Sequence, residues 1–429
     1  MTAARQPRRS RAKPNGPAHA PAADAAIPGV PWLLSPHDID EFAARTWDRK
    51  PLYIRRSDPD YYRDILTLDD LDSVIAYSIP KDDTGKAPPV MVVENRKHAQ
   101  APPNLAGGGR YYDAYARGST LVFNSLHRRW TPVGKLCRAV SEHFRCPVIG
   151  NAYLTPKDAQ GFPPHVDTHD VFVLQLHGEK TWRLRGVGSK RPLGPPHRMP
   201  AIDVKALPRG SEVTMRPGDA LYIPRGLVHE AHTAHTSSLH LTIAVLAFTV
   251  EDLLIEAVRS LAERREDLRQ HLSPASSTPD RAAMSPRLAR KLLHFDARAL
   301  EAAQQRLEAR RVHEESWTMP GGRFEAIDRI GDLDPTTRVV KRWGMPSSAV
   351  ADAGSVVFGF PGELMVSPRA VAAALAFIRD HDAFRVGDLP GLHDHAKQIL
   401  VGRMITSGLL EVDPETPAVR RERRLPRER

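Results

Sequence analysis

Residues 148–248 constrain the fold of this chain more than any other segment. Short apolar runs alternate there with glycine and proline turns. Many short strands separated by frequent turn signals are typical of an antiparallel sandwich or barrel. We therefore predict an all-strand core in this segment.

A histidine and an aspartate stand two residues apart inside it. His165 and Asp167 open an apolar, alternating run. Side chains at positions i and i+2 of a strand share a face, so the imidazole and the carboxylate should converge. The later motif P-x-G-x-x-H ends at His229, and its proline and glycine should turn this histidine back inward. Two histidines and one carboxylate form the facial triad that holds iron(II) and leaves positions open for oxygen and a cosubstrate.

Other assignments of these residues stay open. His165 and Asp167 could be a hydrogen-bonded polar pair accompanied by a surface histidine, although burying such groups without partners is costly. Four nearby histidines are expected not to be ligands: His169, His177, His232 and His235. The last two compete with His229 as the third ligand, but they lie beyond the turn and are interpreted as loop residues.

Lys180 is a further candidate site residue. It follows the turn at Gly178, so it should begin the next strand. A lysine that enters a barrel there would be a buried cation and would need an anionic partner. The far carboxylate of 2-oxoglutarate would supply that partner, whereas the alternative is a solvated lysine at a hairpin.

The segment NAYLTPKDAQGFPPHVDTHDVFVLQLHGEKTWRL strongly resembles the JmjC-type cupin family of ribosomal oxygenases, which are iron(II)- and 2-oxoglutarate-dependent hydroxylases of ribosomal proteins. The resemblance covers much of residues 32–250, through FAARTWDRKPLYIRR, STLVFN and LHLTI. It implies His165, Asp167 and His229 as iron(II) ligands, and Lys180, Asn151 and Tyr153 as residues of the 2-oxoglutarate pocket. It also implies that O2 is consumed, that 2-oxoglutarate is converted to succinate and carbon dioxide, and that an amino-acid side chain is hydroxylated.

The resemblance and the sequence pattern together predict a mainly β fold with α-helices. Its centre would be a double-stranded β-helix of the jelly-roll, JmjC/cupin type, joined to a helical dimerisation segment and a C-terminal winged-helix-like domain. The predicted boundaries are 1–28 for a disordered basic tail, 29–249 for the oxygenase domain, 250–316 for the helical dimerisation region, 317–416 for the winged-helix-like domain and 417–429 for a second basic tail.

Two amphipathic helical segments follow the strand-rich region, at 250–272 and 287–312. Each presents an apolar stripe that must be buried against something. A symmetric homodimer would bury such self-complementary patches. The alternative is that the helices pack wholly onto the neighbouring domains.

Local signals predict several element boundaries. Ser35 followed by Asp38 resembles a capping box that opens a helix, and Ser367 followed by Pro368 is typical of the start of another. The segments RVVKRWGMP and GSVVFGFPGELMV suggest a hairpin.

Composition and charge indicate the cellular location of the protein and the nature of its two ends. The chain of 429 residues has only two cysteines, which is typical of a protein in a reduced compartment. It has no apolar run long enough to span a membrane and no secretory signal at its start. We therefore expect a cytoplasmic location without a membrane partner. The net charge of +10 is concentrated in arginines near both ends. These tails are interpreted as solvated and disordered, and the alternative is contact with RNA phosphates.

Two other functions remain open at this stage. One is a hydroxylase of a small molecule or peptide in a biosynthetic pathway. The other is a nucleic-acid-binding regulator that combines a winged helix with a sensing cupin. The candidate recognition helix carries only Lys397 and Arg403 as basic residues, which is thin for DNA binding.

Overall fold

The computed structural model describes residues 29–77, 90–94, 97–99, 109–192, 203, 205–269, 271, 297–314, 321–342, 345–351 and 354–413. The two predicted basic tails lie outside these residues, and so does the first part of the second predicted amphipathic helix. None of the described helices is both long and apolar enough to cross a membrane.

The α-helices are α1 Val30–Leu34, α2 Ile39–Arg45, α3 Leu68–Tyr77, α4 Gly109–Ala116, α5 Thr131–Phe144, α6 Val250–Arg264, α7 Ala297–Glu314, α8 Arg323–Asp328, α9 Ala372–Asp380 and α10 Asp394–Ser407. The strands are β1 Leu52–Ile54, β2 Val90–Glu94, β3 Lys97–Ala99, β4 Thr120–Phe123, β5 Val148–Thr155, β6 Asp170–Gly178, β7 Lys180–Val187, β8 Ser211–Met215, β9 Ala220–Ile223, β10 Leu227–His232, β11 Ser238–Val245, β12 Arg338–Lys341, β13 Ser348–Ala351, β14 Ser355–Phe360, β15 Glu363–Pro368, β16 Ala383–Arg385 and β17 Leu410–Val412.

Two antiparallel sheets form the N-terminal half. An eight-stranded sheet has the order β1-β9-β6-β11-β5-β4-β2-β3, and a three-stranded sheet has the order β10-β7-β8. The antiparallel strands predicted for residues 148–248 are therefore present. Two further three-stranded sheets, β16-β12-β17 and β13-β14-β15, belong to the C-terminal part.

The strands at the centre of the large sheet are buried on both faces. Phe172 and Leu174 of β6 pack with the helices of the N-terminal half, whereas Val171 and Val173 pack towards the small sheet. This division follows from the alternation of side chains along a strand. Aromatic contacts such as Phe42 with Tyr222, at 4.9 Å between ring centroids, complete the helix-covered core.

Asp219 joins the edge strand β1 to β9. Its carboxylate accepts hydrogen bonds from Tyr53 Oη at 2.7 Å, from Arg56 N at 2.8 Å and from Arg216 N at 2.9 Å. The residue is almost fully buried. One side chain thus satisfies three donors that would otherwise be desolvated without an acceptor.

The helix α6 begins with a capping box, in which Thr249 Oγ1 accepts from Asp252 N and Asp252 Oδ2 accepts from Thr249 N. It ends at Arg264, so the predicted helix over 250–272 is too long. Arg265 leaves the helix with an extended backbone, and its guanidinium pairs with Asp267 at 2.9 Å. The second predicted helix is described as α7 from Ala297 onwards.

One part of the apolar stripe of α6 is buried, and another part is exposed to solvent. Ala257 and Leu261 are buried where α6 packs on α7. Val250, Leu254 and Ile255 are instead exposed. Packing within the chain therefore accounts for only part of the stripe.

The C-terminal part has its own apolar core, to which Val339 of β12, Phe358 of β14, Leu375 of α9 and Val401 of α10 contribute. The segment GSVVFGFPGELMV forms the hairpin of β14 and β15 by itself, so the predicted hairpin that also included RVVKRWGMP is only partly confirmed. In contrast, β12 pairs with β16 and β17.

Two cap predictions are wrong. Asp38 itself caps α2 by accepting from Glu41 N at 2.9 Å, whereas Ser35 follows the preceding helix α1. Ser367 lies in β15, opposite Val356, and α9 begins after it.

We expect Asp219→Ala to lower the free energy of unfolding by about 2–4 kcal/mol, because the backbone N–H groups of Arg56 and Arg216 and the Tyr53 hydroxyl lose their acceptor. Urea denaturation followed by circular dichroism measures this change. Asp64→Ala is the matched control, since the Asp64 side chain is 93% exposed. Equal denaturation midpoints for the two variants would show that Asp219 does not stabilise the sheet edge.

Candidate metal centre

His165 and Asp167 lie in an extended segment just before β6, which begins only at Asp170. His165 N donates to His229 O at 3.1 Å, and His229 N donates to His165 O at 2.9 Å. Gly226 N donates to Asp167 O at 2.9 Å. The segment is therefore shorter than the predicted strand, but its pairing brings both motifs together.

The turn before β10 determines where His229 points. Gly226 has a φ of +80°, and a Cβ atom there would lie 1.9 Å from Ser189 O, so this turn requires glycine. The register of β10 against β7 then shifts between Val228 and His229, which is a β-bulge. Bulges of this kind redirect side chains beside active sites. Here the result is a buried His229.

The ligand atoms of His165, Asp167 and His229 all lie within 4.8 Å of one another. His165 Nδ1 is 2.8 Å from Pro163 O, and His229 Nδ1 is 3.0 Å from Leu227 O. Because a carbonyl oxygen can only accept, each Nδ1 carries the proton of the neutral ring. Each Nε2 therefore keeps a lone pair for a metal ion.

Burial and the neighbouring His165 lower the pKa of His229 to about 4. His229 is therefore neutral at neutral pH, and its contact of 3.6 Å with Asp167 is not an ion pair. Burial would raise the pKa of Asp167, but the positive charge that the His229, His169 and His165 rings carry when they are protonated brings it below its usual value. One carboxylate and two imidazole rings are the donor set that suits iron(II).

The cluster borders a cavity of about 380 Å³ between the large sheet and the sheet of β7, β8 and β10. Asn151, Tyr153 and Lys180, the predicted cosubstrate residues, also line this cavity. Asn151 Oδ1 accepts from Ser125 N at 2.8 Å, which fixes its amide group. The structure thus places the predicted ligands and cosubstrate residues in one cavity, while their roles stay predictions.

Lys180 is buried rather than solvated. Gly178, with a φ of +63°, makes the turn before it, and Lys180 begins β7 as predicted. Its Nζ donates to Thr155 Oγ1 at 2.9 Å, and within the described ranges no carboxylate lies within 4.0 Å of it. Burial lowers the pKa of Lys180 to about 7.

Three buried residues near Lys180 were not predicted from the sequence: His240, Trp182 and Thr155. Trp182 and His240 line the cavity, and Thr155 is the partner of Lys180. The alternation of side chains could have indicated two of them. Asn151, Tyr153 and Thr155 share one face of β5, and Trp182 follows Lys180 at spacing i+2.

None of the other histidines weighed as ligands belongs to the described cluster. His169 lines the cavity beside it. His177 and His235 are exposed, and His232 lies at the end of β10.

A family model described as the JmjC domain matches residues 126–253. The protein named bifunctional lysine-specific demethylase and histidyl-hydroxylase NO66, from Culex quinquefasciatus, is 30% identical over 313 residues, which are 66% of this chain and 47% of the relative. Ribosomal oxygenase 1 from Gallus gallus is 32% identical over 268 residues, which are 56% of this chain and 41% of the relative.

The chain is a JmjC-domain protein related to ribosomal oxygenases. It spans about half the length of these relatives or less. An X-ray structure of E. coli ycfD is similar in fold, with a TM-score of 0.50 and 17% sequence identity. The similarity covers 88% of this chain and 99% of the ycfD chain. At that identity the likeness concerns the fold alone, which is a mixed α/β JmjC cupin fold with several antiparallel sheets.

We expect Asp167→Ala to weaken binding of Mn(II), a redox-stable probe for an iron(II) site, by more than about 100-fold. The reason is that Asp167 supplies the only carboxylate in the described cluster. Isothermal titration calorimetry of the apoprotein measures the affinity, and circular dichroism verifies the fold.

His235→Ala is the matched control, because His235 is an exposed histidine close in sequence to His229. It should bind Mn(II) like the unmodified protein. Unchanged Mn(II) affinity in Asp167→Ala would remove this carboxylate from the metal site.

Proposed function

We propose that this protein is an iron(II)- and 2-oxoglutarate-dependent oxygenase that hydroxylates an amino-acid side chain in a ribosomal protein. The observation that carries the proposal is the pairing, in one cavity, of the His165–Asp167–His229 cluster with the buried Lys180. The names of the relatives, ribosomal oxygenase and histidyl-hydroxylase, support the reaction and the substrate class.

In this mechanism His165, Asp167 and His229 would hold iron(II). Iron, when bound, supplies the activation of O2 and the oxidative chemistry. Lys180 would bind the far carboxylate of 2-oxoglutarate and so orient its 2-oxo-acid end towards the metal ligands. Lys180 lies on β7 four positions before Leu184, and Leu184 pairs with His229. The backbone distance from Lys180 to Leu184 is roughly 13 Å, because a strand rises about 3.3 Å per residue. A five-carbon diacid and the two flanking side chains can span that distance.

The apolar residues of the cavity would exclude water during the reaction. Val171 and Val173 of β6 and Trp182 of β7 line it on facing sheets. Asn151 and Tyr153 would complete the pocket on the β5 side. A dry pocket strengthens the attraction between the lysine and the carboxylate.

The direct test is to incubate the protein with a mixture of ribosomal proteins, iron(II), 2-oxoglutarate and O2, and to measure intact masses. We expect one ribosomal protein to gain the mass of one oxygen atom and the Asp167→Ala variant to leave it unchanged. Succinate release without any protein modification would favour the alternative of a small-molecule or peptide hydroxylase. Absence of both would overturn the oxygenase assignment.

A nucleic-acid-binding regulator is less well supported. Lys397, one of the two lysine or arginine residues on α10, donates to Gly387 O at 2.8 Å and contacts Asp394 at 3.4 Å. Its side chain is only 13% exposed. This lysine is therefore engaged within the domain and is not presented to phosphates.

We also propose the finer architecture. The two facing sheets support a double-stranded β-helix within 29–249, and the separate core around Phe358 and Leu375 supports a winged-helix-like domain within 317–416. Residues 250–316 would form the dimerisation region. The basic tails at 1–28 and 417–429 would be disordered or would contact RNA. The protein would be located in the cytoplasm.

We expect the affinity for 2-oxoglutarate to fall by about fivefold between pH 7 and pH 8. Burial depresses the pKa of Lys180 to about 7, so its ammonium is present below that pH and is lost above it. Burial and the charge of Lys180 keep the pKa of His240 well below its usual value, so this neighbour stays neutral across the range. Calorimetric titration of the Mn(II)-loaded protein measures the affinity.

Lys180→Arg is the control for this pH dependence, since a guanidinium does not titrate near neutral pH. Its affinity should not change between pH 7 and pH 8. An equally flat profile in the unmodified protein would show that Lys180 does not bind the carboxylate in its charged form.

We expect the protein to be a homodimer in which the exposed stripe of α6 forms part of the interface. Leu254 and Ile255 are 41% and 44% exposed and lie beside Val258 in one apolar patch. Leu254→Glu should shift sedimentation at micromolar concentration towards the single-chain mass. Ile399→Glu is the control, because Ile399 is an exposed apolar residue on α10. A single-chain mass for the unmodified protein would rule the dimer out.

A further inference from the structure

Asp170 is a buried carboxylate for which the proposed mechanism gives no role. It begins β6, three residues after Asp167, and it is only 1% exposed. Burying a carboxylate costs free energy unless donors surround it. Tyr222 Oη donates to Asp170 Oδ1 at 2.6 Å, and Arg225 N donates to the same oxygen at 3.4 Å. Arg225 lies in the turn that leads to His229, so this carboxylate connects the two segments that carry the predicted metal ligands.

Two more hydrogen bonds close these contacts into a ring, which we call the Asp170 network. Asp48 N donates to Tyr222 Oη at 2.9 Å, and Arg225 Nε donates to Asp48 Oδ1 at 3.1 Å. Burial and the charge of Asp170 raise the pKa of Tyr222 well above its usual value, so its hydroxyl stays protonated and donates to the carboxylate. Arg191 Nε donates to the second oxygen of Asp48 at 3.0 Å from outside the network. The members of the Asp170 network are therefore Asp48, Asp170, Tyr222 and Arg225, and each bond between them has a defined donor.

The Asp170 network joins parts of the chain that are far apart in sequence. Asp48 follows α2, Asp170 begins β6, and Arg225 lies between β9 and β10. Gly226, the next residue of the same turn, donates its N–H to Asp167 O at 2.9 Å. The turn is therefore held twice, once by the backbone of the segment that carries Asp167 and once by the Asp170 network.

The surroundings favour strong bonds within the Asp170 network. Tyr222 is fully buried, and the side chains of Asp48 and Arg225 are mostly buried. In a low-dielectric interior, connected hydrogen bonds strengthen one another, so the loss of one member affects the others. Asp48 also has a φ of +56°, which is uncommon for a residue other than glycine. Its hydrogen bonds with Tyr222 and Arg225 stabilise this backbone conformation.

We propose that Asp170 is a positioning residue, which acts through Tyr222 and Arg225 to fix the turn before the metal ligand His229 relative to the segment of Asp167. The inference rests on the proposed function, in which His229 and Asp167 hold iron(II). A ligand that is already in position loses less freedom when it binds a metal ion, so the metal ion is bound more tightly. Opening the Asp170 network would remove one of the two restraints on the turn. Metal affinity would then fall, and the coordination geometry would change.

The test uses three variants of the full-length protein. Asp170→Ala removes the acceptor, and Tyr222→Phe removes only the hydroxyl that two bonds of the network share. Asp170→Asn keeps an oxygen that can accept both of the original bonds. Calorimetry measures the affinity for Mn(II), and the visible absorption spectrum of the Co(II)-loaded protein reports the coordination geometry.

Asp219→Ala is the matched control for a loss of stability without a loss of positioning. Asp219 is also a buried carboxylate that accepts several hydrogen bonds, but it lies outside the Asp170 network. This variant should unfold at a lower urea concentration, whereas its Mn(II) affinity and Co(II) spectrum should match those of the unmodified protein. An equal loss of Mn(II) affinity in Asp219→Ala would assign the effect to stability and overturn the proposal.

We expect Asp170→Ala and Tyr222→Phe each to weaken Mn(II) binding by about 10-fold and to alter the Co(II) spectrum. Asp170→Asn should recover most of the affinity. Unchanged Mn(II) affinity and Co(II) spectra in Asp170→Ala and Tyr222→Phe would show that the network only stabilises the fold. If the unmodified protein binds neither Mn(II) nor Co(II), the proposed function itself fails, which is a different result.

A double variant shows whether Asp170 and Tyr222 act as one unit. Because a network that is already open cannot be opened again, Asp170→Ala combined with Tyr222→Phe should lose no more Mn(II) affinity than the weaker-binding single variant. Losses that multiply would overturn the proposal, since the two residues would then act independently. Tyr222→Phe keeps the aromatic packing against Phe42, so it tests the network even if Asp170→Ala does not fold.

Discussion

The candidate metal centre depends on one short piece of backbone pairing. His165 and His229 exchange two N–H···O hydrogen bonds, and Gly226 adds a third to Asp167. These bonds fix the distance between a segment outside the main strands and a strand of the small sheet. Because backbone bonds hold both segments, the ligand side chains are already grouped before a metal ion binds, which lowers the cost of binding.

Stability and function make opposite demands on the interior of this domain. The helix-covered side of the large sheet is filled with apolar and aromatic side chains such as Phe172 and Tyr222. The other side keeps Lys180 and His240 buried in a cavity. Burying these polar groups costs free energy. The well-packed side offsets that cost, so the fold can maintain a cavity with polar groups in its wall.

Much of the fold and of the site could be predicted from periodicity and spacing. The alternation of apolar residues located the strands, and H-x-D followed by P-x-G-x-x-H located all members of the observed cluster. Local signals were less reliable at element ends. Asp38 rather than Ser35 caps α2, and Ser367 became part of β15, because neighbouring elements compete for the same residues.

The sequence by itself determined which side chains can bind a metal ion and that His165 and Asp167 share a face, since both follow from residue type and a spacing of two. The tertiary structure alone decided the geometry that brings the predicted His229 into the cluster, because the β-bulge between Val228 and His229 depends on how β10 pairs with β7. It also decided the surroundings of Lys180 and His240. Lys180 of β7 contacts Thr155 of β5, and His240 of β11 contacts Trp182 of β7, and such contacts between strands depend on register rather than on local sequence.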